Sequence, residues 1–151
     1  MTLADALHVI ARMRESDRRA LAACCPGMTD EQFAVDRFGT DHRYTVTAAD
    51  GEPVVIGGAR VLATRTAVLW MVSTPRICEV AKPLMRFCRK FSEALVTHEV
   101  AHRLEGAFLA GEQECERWAR RFGLTYEGTR RAAGAHGEDI MLWGRVKDHG
   151  R

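Results

Sequence analysis

The stretch Thr66 to Ser73 constrains this chain most. Ala67-Val68-Leu69-Trp70-Met71-Val72 is a continuous apolar run without a charge, and Pro75 stops it. A run this short and this uniformly apolar predicts a strand covered on both faces rather than one with a solvated side. A sheet built around such a strand needs helices against it, which places the chain in the α/β class.

The remaining segments supply those layers. Leu7 to Met13 alternates apolar and polar residues and predicts a first strand. Ser16-Asp17 caps a helix over Arg18 to Cys25, ended by Pro26-Gly27. Thr29, with Gln32 three residues on, makes a capping box for a second helix that ends near Gly39. Tyr44 to Thr47 and Pro53 to Leu62 predict a hairpin turned at Asp50-Gly51. Gly57-Gly58 inside its second strand marks a bulge or a close backbone approach. Beyond Pro75, Lys82 to Val96 predicts a long helix with Leu84, Phe87, Cys88, Phe91 and Leu95 at helical spacing. A strand over Leu104 to Ala110 and a helix over Gln113 to Phe122, stopped by Gly123, come next. Leu124 to Arg131 and Asp139 to Val146 form a closing strand pair around the loop Gly134 to Gly137. The order is strand, two helices, three strands, helix, strand, helix, two strands. It describes one domain over 1–147, with a frayed tail at 148–151 that begins near Lys147.

Composition excludes several classes. A length of 151 residues suits one domain with one sizeable core. The net charge of +2 interleaves 22 basic with 20 acidic residues, so neither nucleic acid nor an anionic membrane is expected as a partner. Arg117 to Arg121 reads as a helix with one buried and one solvated face, and Trp70, Trp118 and Trp143 as core or cleft-wall aromatics. No apolar run approaches the roughly 20 residues that cross a bilayer, and Met1 to Asp5 lacks a secretory pattern, so a reducing cytoplasm is the expected location. Five cysteines without a C-x-x-C or zinc spacing fit that compartment, most of them as small buried apolar groups.

The series Trp118 to Leu124, then Tyr126-Glu127-Gly128-Thr129, then Asp139 to Trp143 resembles the closing half of the GCN5-related N-acetyltransferase (GNAT) fold. The order of elements resembles that fold throughout. A narrower resemblance is to a divergent GNAT-like branch of short-tailed bacteriophages that includes an internal virion protein. It rests on Ile10 to Asp17, Ile56-Gly57-Gly58, Trp70 to Thr74 and Met85 to Phe91. The broad resemblance implies a mixed, mostly antiparallel sheet flanked by helices, with a cleft splayed between strands Ala67–Ser73 and Leu104–Ala110. It implies acetyl-CoA as donor, no metal, and an unidentified amine as acceptor. A homodimer is compatible with it, and the narrower branch would add virion proteins as partners and the virion as a location.

By that resemblance Met71, Val72 and Ser73 face the pantetheine arm. Arg76, Ile77, Cys78, Glu79, Val80 and Ala81 form the diphosphate loop at a helix start, where orphan N–H groups and the helix dipole favour an anion. Arg76 and Ala81 match the family loop. Glu79 stands where the family has glycine, adding a side chain and a negative charge. The family's helix tyrosine, a proton donor, falls on Ala119, and its asparagine falls on Glu112. Glu105 and His102 are the nearest candidate bases. Two readings follow, an active N-acyltransferase and a non-catalytic scaffold.

His98-Glu99-Val100-Ala101-His102 is also a literal H-E-x-x-H. On one helix it would direct two imidazoles at a zinc ion with a glutamate as base, giving a metallohydrolase. The GNAT order instead splits it between the end of a helix and the start of a strand.

Overall fold

The computed structural model describes residues 1–147. Three helices come first: α1 (Leu3–Ala11), α2 (Glu15–Cys24) and α3 (Asp30–Phe38). Three strands follow: β1 (His42–Thr47), β2 (Pro53–Val61) and β3 (Thr66–Ser73). The chain closes with α4 (Ile77–Thr97), β4 (Arg103–Leu109), α5 (Gln113–Arg121), β5 (Thr125–Arg130) and β6 (Ile140–Val146).

The expected first strand is a helix. Thr2 caps α1 by accepting from the Asp5 amide, and the Asp5 carboxylate accepts from the Thr2 amide. This capping box, just upstream of an apolar stripe, nucleates the turn. Ala6, Val9, Ile10 and Met13 then sit on one buried face, a spacing of three and four that short-range alternation had masked. The sheet accordingly has six strands, in the order β1-β2-β3-β4-β6-β5. The long helix also starts earlier than expected, at Ile77, and carries Pro83 within it. Lys147 is tied down, its amide donating to His102 O at 2.8 Å, while the expected tail at 148–151 lies outside the described residues. Of the five cysteines only Cys88 is fully buried, and Cys24 and Cys78 are exposed.

Helices α1 to α3 cover one face of the sheet, where Val9, Ile10, Leu21 and Phe33 pack on Ile56 and Val72. On the other face Leu84 and Cys88 of α4 pack on Val55. Leu95 and Val96 of α4 and Ala119 of α5 join Leu104 and Trp143 there. The apolar run of β3 is thus sandwiched between layers. All sheet pairings are antiparallel except β3 with β4, which the α4 crossover makes parallel. Among the described residues no helix is long and apolar enough to cross a membrane.

Gly57-Gly58 is a close approach and not a bulge, since the β1–β2 register runs unbroken past both. A Cβ on Gly57 would collide with the Tyr44 hydroxyl, and one on Gly58 with the His42 carbonyl. Side chains can yield a little, but a paired backbone carbonyl cannot. Gly58→Ala should therefore cost about 3 kcal/mol in urea unfolding, more than Gly57→Ala. Equal and small effects at both positions would contradict this packing.

Candidate functional site

Strands β3 and β4 pair only through Thr66–Arg103, Ala67–Leu104 and Val68–Glu105. Beyond Val68 the two strands part. Between them lies a largely apolar cleft of about 220 Å³ that reaches both faces of the sheet. Leu69, Trp70, Met71 and Val72 wall one side, and Ala107, Phe108 and Leu109 the other.

The alternation of an antiparallel ladder fixes where β3 aims its backbone. The Thr74 amide donates to Val54 O on β2, so Ser73 and Met71 turn their N–H and C=O away from β2, toward the opening. At Ser73 the chain fills that edge itself. The Ser73 amide donates to Asp17 Oδ2 at 2.8 Å, its hydroxyl to the same oxygen at 3.1 Å, and its carbonyl accepts from the Arg14 amide at 2.9 Å. Arg14 Nε lies 3.0 Å from Asp17, and Arg14 Nη1 reaches both oxygens of Glu114 on α5 at 3.0 Å. Burial works against the Arg14 charge, but the adjacent Asp17 and Glu114 carboxylates outweigh it and raise the guanidinium. Met71 has no such partner among the described residues, and its backbone edge faces the cleft.

On the α4 side the cleft is lined by Tyr44, Cys88, Phe91, Ser92, Trp118 and Phe122. Tyr44 is enclosed by Phe87 and Phe91, and its hydroxyl stands 3.3 Å from Cys88 Sγ. Burial pushes the Tyr44 phenol well above its ordinary value and the Cys88 thiol up as well, so both groups are protonated. Burial likewise raises the Cys115 thiol, to about 11. On the α1–α3 side the lining includes Leu21, Cys25, Phe33 and Arg37.

The expected diphosphate loop is the start of α4, with Arg76 at its N-cap and Ile77, Cys78, Glu79, Val80 and Ala81 in its first turns. Arg76 is fully committed. Its Nε and Nη2 meet the Glu79 carboxylate at 2.8 and 2.7 Å, and Nη1 meets Glu52 at 2.5 Å. Asp50 adds a third carboxylate at 2.9 Å. The hydrogen bonds to Glu79 and Asp50 raise the Arg76 guanidinium, and Arg76 in turn holds the Glu79 carboxyl below its usual range. Carboxylates thus occupy the place where a diphosphate would need positive charge.

The expected bases stand apart from the cleft lining. Glu105 lies where β3 and β4 still pair and accepts from Arg103 Nε at 2.6 Å, while Arg103 also clasps Glu127. His102 is exposed just before β4, at the closed end of the splay. Glu112 does line the cleft, at the N-cap of α5, and is paired with Arg19 at 2.7 Å. Ala119 is buried in the core. The H-E-x-x-H residues do not share a helix: α4 ends at Thr97, His98 is its C-cap and Glu99 turns to φ 56°. Among the described residues no cluster of three or more His, Cys, Asp or Glu could hold a metal ion. Trp70 and Trp118 are cleft-wall aromatics and Trp143 is core, as their sequence context predicts.

Residues the sequence did not expose are Asp17, Arg14, Arg37 and Tyr44. Asp17 reads locally as a helix cap, yet its partner is 56 positions away. With only 11% of its side chain exposed, Asp17 leaves a buried Arg14 charge and a bare Ser73 amide when removed. Asp17→Ala should therefore cost about 3 kcal/mol in denaturant unfolding. Glu93→Ala, removing the exposed partner of Arg145, should cost under about 1 kcal/mol. The opposite ranking would contradict the placement of Asp17.

No protein-family model matches the chain, and no curated protein matches it in sequence. Solved structures do match in shape. The ribosomal-protein-S5-alanine acetyltransferase of Vibrio fischeri is 12% identical, covers 100% of this chain and 92% of its own, and superposes with a TM-score of 0.72. A GNAT-family acetyltransferase of Bacillus anthracis is also 12% identical, with 97% and 91% covered and a TM-score of 0.72. A spermidine N-acetyltransferase variant of Vibrio cholerae is 10% identical over 77% of this chain and 72% of its own, with a TM-score of 0.61. The chain therefore has the fold of the GNAT acetyltransferases, a single α/β domain with a six-stranded mixed sheet opened between β3 and β4.

Proposed function

We propose that this chain is an N-acyltransferase that accepts an acyl thioester in the β3–β4 cleft and passes the acyl group to an amine. The observation that carries the reading is the unpaired backbone edge at Met71 beside an apolar cleft of about 220 Å³. An edge of this kind hydrogen-bonds amides, and a pantetheine arm presents amides in an otherwise flexible chain. When bound, the thioester supplies an activated carbonyl and a thiolate leaving group.

The chain's residues fit one half of acetyl-CoA and not the other. Met71 would hold the pantetheine arm, with Phe108, Leu109 and Val72 excluding water around the acyl end. Tyr44 keeps a protonated hydroxyl in the cleft wall, in a chain whose α5 offers Ala119 where the family resemblance places a tyrosine. The start of α4 does not fit the diphosphate, because Glu79, Glu52 and Asp50 already neutralise Arg76. Acceleration would rest on holding amine and thioester together more than on a dedicated base.

The self-neutralised Arg76 favours a second reading, a non-catalytic GNAT-like protein of the phage branch, associated with a virion. Mass spectrometry of purified particles addresses it, and absence of the chain from them would remove it.

Calorimetric titration with acetyl-CoA, paired with thiol release over a panel of amines, tests the first reading. Weak but saturable binding is expected, and Glu79→Gln should tighten it about three- to tenfold by removing a negative charge beside the helix start. No binding at millimolar acetyl-CoA by either protein would end the acyltransferase reading.

A further inference from the structure

The cleft carries four charged side chains in its wall: Arg14, Asp17, Arg37 and Glu112. Three of them lie within 3.0 Å of the groups that answer them. Arg14 has Asp17 and Glu114, Asp17 has Arg14 and the Ser73 amide, and Glu112 has Arg19. Arg37 is the exception. Its nearest carboxylate among the described residues is Asp36, 3.4 Å from Nε and not aligned for a hydrogen bond. The Nε atoms of Arg37 and Arg14 are both buried without a hydrogen-bond partner, but Arg14 reaches the Glu114 carboxylate through Nη1, whereas Arg37 has beside it only the neutral Cys25 thiol. Asp36 is in turn drawn away by Arg60, whose Nη2 meets it at 2.8 Å.

Aromatic faces hold the Arg37 side chain instead. Its guanidinium carbon stands 4.7 Å from the Phe33 ring centre and 5.5 Å from that of Trp70. Cation–π contact of this kind fixes a guanidinium plane without satisfying its N–H donors. Only 17% of the side chain is exposed, so water supplies little compensation. Burial accordingly holds the Arg37 guanidinium below its ordinary value, against the opposing pull of Asp36. It stays charged even so, since an arginine does not give up its proton in a protein. A buried cation beside two aromatic rings, in a cleft whose other charges are paired, is complementary to a carboxylate with an apolar body.

We infer that the α1–α3 side of the cleft is an acceptor subsite for a small amine bearing a carboxylate, of the amino-acid class, with Arg37 binding the carboxylate and Phe33, Trp70 and Leu21 taking the apolar part. This rests on the acyltransferase reading for the word acceptor; the carboxylate subsite itself does not. Trp70 precedes Met71 in β3 and projects to the opposite face, so a ligand on Arg37 approaches the donor edge through the splay. A polyamine finds no free carboxylate in this wall, because Asp17 and Glu112 are both engaged. The subsite therefore selects by charge against cationic acceptors.

Binding of 3-phenylpropionate and of its uncharged amide to the full chain, each measured by calorimetry, tests the subsite without any acyl donor. The carboxylate should bind at least about tenfold more tightly than the amide, as expected for a charge-assisted pair in a half-dry site. Arg37→Gln should erase that preference, and Arg37→Lys should retain part of it, with thermal melts confirming that each variant is folded. Equal binding of the two probes, no carboxylate binding at millimolar concentration, or a preference that survives Arg37→Gln would each overturn the inference. A separate acetyl-CoA titration keeps the two claims apart. Acetyl-CoA binding without a carboxylate preference removes this subsite and spares the acyltransferase reading. Carboxylate selectivity without acetyl-CoA binding supports the subsite and removes that reading.

Discussion

A parallel strand pair that stops halfway leaves backbone groups that must be satisfied by something other than a strand. That is the condition at β3, whose pairing with β4 ends at Val68 and Glu105. In a fully paired sheet the edge beyond would be closed, and β3, covered on both faces, would have no access to ligand. Here the chain divides the open edge. Ser73 is capped by Asp17 and Arg14 from the α1–α2 junction, which anchors the helical layer to the sheet. Met71 keeps its outward backbone edge without a partner among the described residues. The splay, the cleft and the attachment of α2 are consequences of one interrupted ladder.

Electrostatics then decides what kind of ligand the opening can take. Most charges near it are spent internally. Arg76 is surrounded by Asp50, Glu52 and Glu79, and Glu112 is held by Arg19. A helix start ordinarily favours an anion, yet α4 offers a donor set already matched by its own carboxylates. The fold is that of the GNAT acetyltransferases, while the start of α4 carries carboxylates that already neutralise its own arginine. Fold and site are separable properties, and in this chain they diverge at α4.

The sheet was largely legible in the sequence because its signals are local. The apolar run of β3, the Asp50-Gly51 turn and the Gly57-Gly58 pair each report a nearby constraint, and all three lie where expected. α1 was misread because Leu7, Val9, Ala11 and Met13 satisfy a period of two while Ala6, Val9, Ile10 and Met13 satisfy the helical one. The capping box at Thr2 and Asp5, outside the window that alternated, decided between them. The site was less legible. Glu79 was identifiable as a misplaced charge from the loop pattern alone. Nothing near Asp17 or Arg37 in sequence announces Ser73 or Trp70, since both contacts are made only when α2 and α3 dock on the sheet. Glu105 and His102 were named because they lie on and just before the strand next to β3, and the structure puts both at the paired end of β4, outside the cleft lining. The splay opens at the far end of β4.

The central claim is that the interrupted β3 edge receives a thioester at Met71. A crystal structure of the chain soaked with acetyl-CoA tests it most directly. The account predicts a pantetheine amide hydrogen-bonded to the Met71 backbone, the acyl end between Val72 and Phe108, and a diphosphate displaced outward from Arg76 and Glu79. Density for the cofactor anywhere else, or a β3–β4 cleft that stays empty at saturating acetyl-CoA, would contradict it.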